Sequence, residues 1–322
     1  MILTGMGSYP RVGDTAELQR LRRGIHRFDR KEIDREDLNA IADDVTAEVI
    51  REQVQVGLDW VTDGCIRWED MVSHVANKLP GVHRGGLLRY FDSNTYVRQP
   101  VVTGAIGWEQ PVVAAEAAFA VAESPKPVKA IVTGPYTVAK YCDDQHYGAW
   151  EPLVMDLAAA LNNELKAIAA TGVTCIQIDE PSILQEPGDW ALFERAITRL
   201  MNGVPGTTAI ATYFGDAVPL VSQLLALPFS ITYFDCSYAP LVVDALRGKV
   251  EGKQIGISVV DSRNTKLESL EDVRGNIEMA QDIVGSDTLH ITPSAGLEFL
   301  PRKRAYEKLE RMLAGAGVVS SQ

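Results

Sequence analysis

Two adjacent carboxylates, Asp179 and Glu180, follow directly on the run Cys175-Ile176-Gln177-Ile178 and stop at Pro181. Carboxylates at the end of an apolar segment can serve as general acid and base, or can hold an ammonium group. Neighbouring residues of an extended segment point to opposite faces, so only one of the two enters a shared site easily. Other reactive side chains stand in the same relation to apolar runs. Leu58–Thr62 leads to Asp63-Gly64-Cys65-Ile66-Arg67, and the run through 207–212 leads to Tyr213-Phe214-Gly215-Asp216. Runs ending at Phe234 and Val260 lead to Asp235-Cys236 and Asp261-Ser262-Arg263. Arg67 and Arg263 could each clamp a carboxylate or phosphate bidentately. Tyr213 offers a phenol as hydrogen-bond donor or acid, and Asp179 and Asp235 could polarise a substrate.

These groups need elements that deliver them to one place. Residues 2–7, 58–62, 128–132, 175–178, 207–213, 229–234, 254–260 and 288–292 read as short buried strands. Helical patterns separate most of them: Asp34 opens one that ends at Gly57, and Leu153, Leu157, Leu161, Leu165 and Ile168 stripe another. Eight strand-then-helix units predict a single α/β domain over residues 1–322, a (β/α)8 TIM barrel with its reactive groups at the C-terminal ends of the strands. Residues 74–108 break the alternation with glycines, aromatics and β-branched residues, and are predicted to form an inserted β-ribbon over one edge of the site. The charged stretch 15–35 reads as a solvated excursion, and Gly315 to Gln322 as a tail. A doubly wound open sheet is the competing architecture. No G-x-G-x-x-G follows the first strand, which counts against a dinucleotide site.

Bulk properties narrow the partners. The 322 residues are 46% hydrophobic and 23% charged, with a net charge of −12 and no block of Lys and Arg, which argues against nucleic acid and acidic membrane surfaces. No apolar run approaches the roughly 18 residues of a membrane span, and Met1 to Ser8 lacks the pattern of a signal peptide. Cys65, Cys142, Cys175 and Cys236 form no CxxC pair, so free thiols in a reducing cytoplasm are expected.

The strand-end motifs, taken in order, resemble those of a known family. They are Met6-Gly7-Ser8-Tyr9-Pro10, Asp63-Gly64 with Asp70-Met71-Val72, Thr133-Gly134-Pro135-Tyr136-Thr137, Ile176 to Pro181, Val260-Asp261 and Pro293-Ser294-Ala295-Gly296-Leu297. This order is similar to that of the catalytic barrel of cobalamin-independent methionine synthase, in its short single-barrel form. The barrel is in turn similar in fold to uroporphyrinogen decarboxylase. The resemblance implies a small amino-acid-like substrate, methyl transfer to the thiol of homocysteine, and for short forms a corrinoid as methyl donor. It also implies zinc, which turns the thiol into a thiolate nucleophile.

The residues at the implied positions are unusual. Gly7 and Ser8 match the part that receives the amino acid's carboxylate, and Asp179 matches an acceptor for its ammonium group, with Glu180 as a structural neighbour. The zinc positions fall on Ala211, Tyr213, Asp235 and Ala295. An amino-acid-binding glutamate falls on Cys65, and the general-acid histidine of the long enzyme on Arg263. One carboxylate cannot make a tetrahedral zinc site, so zinc in the family manner is not expected. A substitute metal site would need Cys65, Cys236, Asp235 and Asp216 to converge. The functional expectation is a diverged methionine-synthase-like enzyme. Asp179, Tyr213, Asp235 and Arg263 would be catalytic, and Gly7, Ser8, Cys65, Arg67, Asp179 and Asp216 would bind substrate. The alternatives are metal-free acid–base chemistry of the lyase or decarboxylase kind, and a ligand-binding protein without turnover.

Overall fold

The computed structural model describes residues 1–250 and 252–318. Seven parallel strands form a curled sheet in the order β1-β10-β9-β8-β7-β6-β4. They are β1 (Ile2–Leu3), β4 (Lys129–Thr133), β6 (Cys175–Asp179), β7 (Thr207–Thr212), β8 (Ile231–Phe234), β9 (Gln254–Val260) and β10 (Leu289–Pro293). The strand expected over 58–62 is reduced to two parallel bridges, Trp60 with Thr4 and Val61 with Val128. Around them, Asp59 and Trp60 donate N–H groups to the Leu3 carbonyl, Val61 donates to Pro127, and Lys129 donates to Val61. This segment therefore bonds to both edge strands of the sheet.

The period of two along each strand sorts the side chains. Ile176, Ile178, Ile210, Ile255, Ile257, Leu289 and Ile291 join the main apolar cluster with the surrounding helices. Cys175, Ala209, Ala211, Ile231, Tyr233 and Ala295 form a second cluster with Met6, Tyr213 and Phe214 inside the curl. The long helices α2 (Arg35–Val56), α6 (Trp150–Ala169), α7 (Trp190–Met201), α10 (Leu270–Val284) and α11 (Arg302–Gly315) lie where the sequence pattern places them. Asp34 caps α2 in a reciprocal box with Asp37. Short helices fill three other connections: α4 (Ala114–Glu123), α8 (Val221–Ala226) and α9 (Val242–Ala245). From residue 319 onward the tail expected after Gly315 lies outside the described residues.

Two local readings change. The stretch expected to be a solvated excursion contains a helix, α1 (Arg20–Asp29), packed on α2 through Leu21 and Gly24. Its apolar face is too narrow to stand out among the charges. A further helix, α5 (Pro135–Tyr141), follows β4 and leads into a two-residue strand, β5 (Asp143–Asp144).

The insertion is an antiparallel ribbon, as its composition suggested. A single helical turn, α3 (Ser73–Ala76), precedes β2 (Val82–Arg89), which pairs with β3 (Tyr96–Val102), and β3 pairs with β5. The ribbon turn carries Tyr90 and Phe91 into the inner cluster.

Candidate active site

Asp179 is the last residue of β6 and is 1% exposed. Its Oδ1 accepts from Gln177 Nε2 at 2.7 Å, and its Oδ2 accepts from the Tyr213 hydroxyl at 3.0 Å. Burial raises its pKa to about 7, although both hydrogen bonds oppose the shift. Glu180 turns the other way. Its carboxylate accepts the backbone N–H groups of Tyr136 (2.9 Å) and Thr137 (2.8 Å), which open α5. Gly134 is required there, because a Cβ at that position would lie 2.2 Å from the Glu180 carboxylate. The two carboxylates read together in the sequence thus have different tasks: Glu180 caps a helix, and Asp179 faces the interior.

A cavity of about 140 Å³ is lined by Ser8, Arg11, Cys65, Tyr90, Glu298 and Phe299 among others; Asp179 lies outside its wall, close enough to Glu298 for that carboxylate to raise its pKa. Gly7 positions this edge: at φ +118° it holds a conformation side-chain-bearing residues rarely adopt, and a Cβ would lie 2.8 Å from Ile131. Its carbonyl accepts from the Thr62 hydroxyl at 2.6 Å. The Ser8 hydroxyl donates to the half-buried Glu298 carboxylate. Burial raises the pKa of Glu298, while Ser8 and Arg11 act to lower it. The Arg11 guanidinium donates to the carbonyls of Trp68 and Glu69. Among the described residues it has no carboxylate ion-pair partner within 4.0 Å.

The other expected site residues are divided. Cys65 lines the cavity in a left-handed conformation (φ +51°), its N–H donating to Asp63 Oδ1 at 3.0 Å. Burial pushes its thiol far up, so it is a neutral thiol. Tyr213 meets Asp179 as described. Asp235 spends both oxygens on backbone N–H groups, those of Phe214 (3.3 Å), Ser237 (2.9 Å) and Tyr238 (3.1 Å), and shapes the loop after β8. Arg263 lies over the rings of Phe214 (5.1 Å) and Tyr238 (5.5 Å). It borders an outer cleft that shares Glu298 and Phe299 with the cavity. Asp216 is exposed and accepts from the Val218 N–H at 2.9 Å.

Arg67 points away from the cavity. It pairs with Asp43 on α2, donates to Thr46 Oγ1 at 3.0 Å and lies 5.0 Å from the Phe119 ring centre. Cys236 lines a different cleft from Cys65. Among the described residues, no group of three or more His, Cys, Asp or Glu side chains could hold a metal ion.

Sequence reasoning missed Arg11, Tyr90, Gln177 and Glu298. Arg11 and Glu298 each lie three residues beyond a motif residue, Ser8 and Ala295 respectively, and that proximity was the available signal. Tyr90 carried none, since its place depends on how the ribbon folds back. Phe91 (φ +49°) and Phe214 (φ +62°) also hold left-handed backbones, with ring centres 5.4 Å apart. Two strained non-glycine residues thus pack together where the ribbon turn meets the end of β7, as is common where a site is being held in shape.

The comparisons with known proteins agree along the whole chain. Residues 1–317 match the family model described as the catalytic domain of cobalamin-independent synthase. A methionine synthase of Sulfolobus acidocaldarius is 30% identical, over 99% of this chain and 92% of its own. One from Saccharolobus solfataricus is also 30% identical, over 99% and 95%. Among solved structures, a B12-independent methionine synthase from a Shewanella species, in complex with selenomethionine, superposes with a TM-score of 0.82 at 22% identity, covering 98% of this chain and 96% of that one.

Proposed function

The chain belongs to the cobalamin-independent synthase catalytic-domain family, a family of methyltransferase-type enzymes, and on that premise we propose that it acts on a small zwitterionic amino-acid-like substrate without a zinc thiolate. The observation that carries this reading is Arg11. It is a guanidinium held by two carbonyls, with no carboxylate ion-pair partner among the described residues, on the wall of a small cavity that also holds the half-buried Glu298 carboxylate. Arg11 and the Gly7–Ser8 corner suit an α-carboxylate, while Glu298, with Asp179 behind it, suits an α-ammonium group. The cavity is well below the 300 Å³ or so of a drug-sized pocket, which favours an amino acid over a large cofactor. The bound selenomethionine of the Shewanella protein supports the same class.

The zinc implied by the family does not fit these residues. Ala211 and Ala295 bring methyl groups, Tyr213 gives its hydroxyl to Asp179, and Asp235 is committed to backbone amides. A corrinoid remains the methyl donor that the resemblance suggests. The Asp179–Tyr213 hydrogen bond favours a second reading, metal-free acid–base chemistry of the lyase or decarboxylase kind, in which a carboxylate and a phenol exchange a proton with the substrate. The bridges at Trp60 and Val61 support a closed eight-stranded barrel around this site, and unpaired cysteines suit a reducing cytoplasm.

The test is calorimetric titration of methionine and homocysteine into purified protein, with and without a zinc chelator. Binding that survives chelation supports the proposal. Homocysteine binding that requires stoichiometric zinc overturns it.

A further inference from the structure

Tyr90 stands out among the residues of the cavity wall. It comes from the ribbon turn, is 1% exposed, and its buried hydroxyl has no hydrogen-bond partner among the described residues. An unpartnered buried hydroxyl destabilises a fold unless something repays it. The Tyr213 hydroxyl gives its proton to Asp179 but keeps lone pairs, and it lies close enough to Tyr90 for a marginal contact that falls short of hydrogen-bond geometry and that a ligand oxygen would replace. Burial pushes both phenols far up, so both stay protonated and able to donate.

The surroundings explain how two tyrosines fit here. Ala211 and Ala295, both 0% exposed, pack in the same cluster as Tyr90 and Tyr213. Their short side chains leave the interior space that the phenol rings fill. Resting on the amino-acid reading of the cavity, we propose that Tyr90 donates a hydrogen bond to an oxygen at the end of the substrate's side chain, so that the site selects an oxygen-bearing amino acid over its sulfur counterpart. The reason is chemical. A soft thiolate is matched by a soft metal, whereas a phenol O–H is a strong, hard donor that oxygen accepts well and sulfur accepts weakly. The polar head of such a ligand would lie at Arg11 and Glu298, and its tail would reach Tyr90 on the same wall. Tyr213 is then a positioning residue, since it holds Asp179 and packs beside Tyr90.

The experiment compares L-homoserine with L-homocysteine, which differ only by oxygen for sulfur, in the wild type, Tyr90→Phe and Tyr213→Phe. Affinities come from calorimetry on the full chain. The wild type should prefer homoserine by about 3- to 10-fold, the worth of one neutral hydrogen bond. Tyr90→Phe keeps the ring and should lose this preference by weakening homoserine alone. Tyr213→Phe should shift the pH profile of binding through Asp179 while keeping some preference. A wild type that prefers homocysteine, or a Tyr90→Phe variant that weakens both ligands equally, overturns the assignment of Tyr90 but leaves the amino-acid site standing. Failure of homoserine, homocysteine and methionine all to bind overturns the amino-acid reading, and this one with it.

Discussion

Replacing Arg11 with methionine keeps much of the side chain's length and removes its charge. A guanidinium has five N–H donors; two are held by the Trp68 and Glu69 carbonyls, which leaves three for a ligand. A charge-assisted hydrogen bond contributes about 1.5–3 kcal/mol, so Arg11→Met should weaken a bound carboxylate by roughly 10- to 150-fold. The loss should depend on the ligand's carboxylate. The assay is therefore calorimetry with L-methionine and with methioninol, which lacks that group. In the wild type methionine should bind far better than methioninol; in Arg11→Met the two should become nearly equal. Arg11→Lys controls for the anchoring of the 68–69 loop, because an ammonium keeps the charge without the fork that spans two carbonyls. Arg11 also acts to lower the pKa of Glu298, so its removal should move that carboxyl further up and shift the binding pH profile with it. If Arg11→Met retains the wild-type preference for methionine over methioninol, the carboxylate is held elsewhere and the cradle described above is wrong.

Two further expectations separate structure from function. Glu180→Ala leaves the Tyr136 and Thr137 N–H groups without their acceptor and should cost roughly 3 kcal/mol in urea unfolding, with amino-acid binding largely kept; a loss of binding at unchanged stability would contradict its assignment as a helix cap. Asp63, Asp179 and Glu180 have pKa values raised by burial from 3.8, 3.8 and 4.5 to about 7. Between about pH 4 and pH 7 the folded state therefore holds more protons than the unfolded chain, and the stability these groups contribute at low pH is lost as pH rises through 7. Urea midpoints should fall across this window, and Asp63→Asn should flatten the slope; an unchanged slope would show that Asp63 does not contribute.

The strand ends were legible because their information is local. A run such as Cys175–Ile178, stopped by charges and proline, needs nothing distant to be recognised, and the period of two separates Asp179 from Glu180. The order of six such motifs carried the family. The strand at 58–62 was legible as a segment, but its reduction to two bridges was not, since pairing depends on the strands on either side. Arg67 illustrates the limit at the site. It follows a strand end as Arg263 does, yet Asp43 on α2 draws it outward. A long side chain has many rotamers, and the nearest opposite charge on a packed neighbour chooses among them.

What the sequence determined by itself was the set of reactive groups at one end of a parallel sheet. Only the tertiary structure decided which groups meet. It brought Arg11 and Glu298 to one wall from opposite ends of the chain, and it folded the ribbon so that Tyr90 entered the interior. Those contacts join residues far apart in the chain, and they form only when the loops dock on the finished sheet. No local pattern of hydrophobicity encodes that docking.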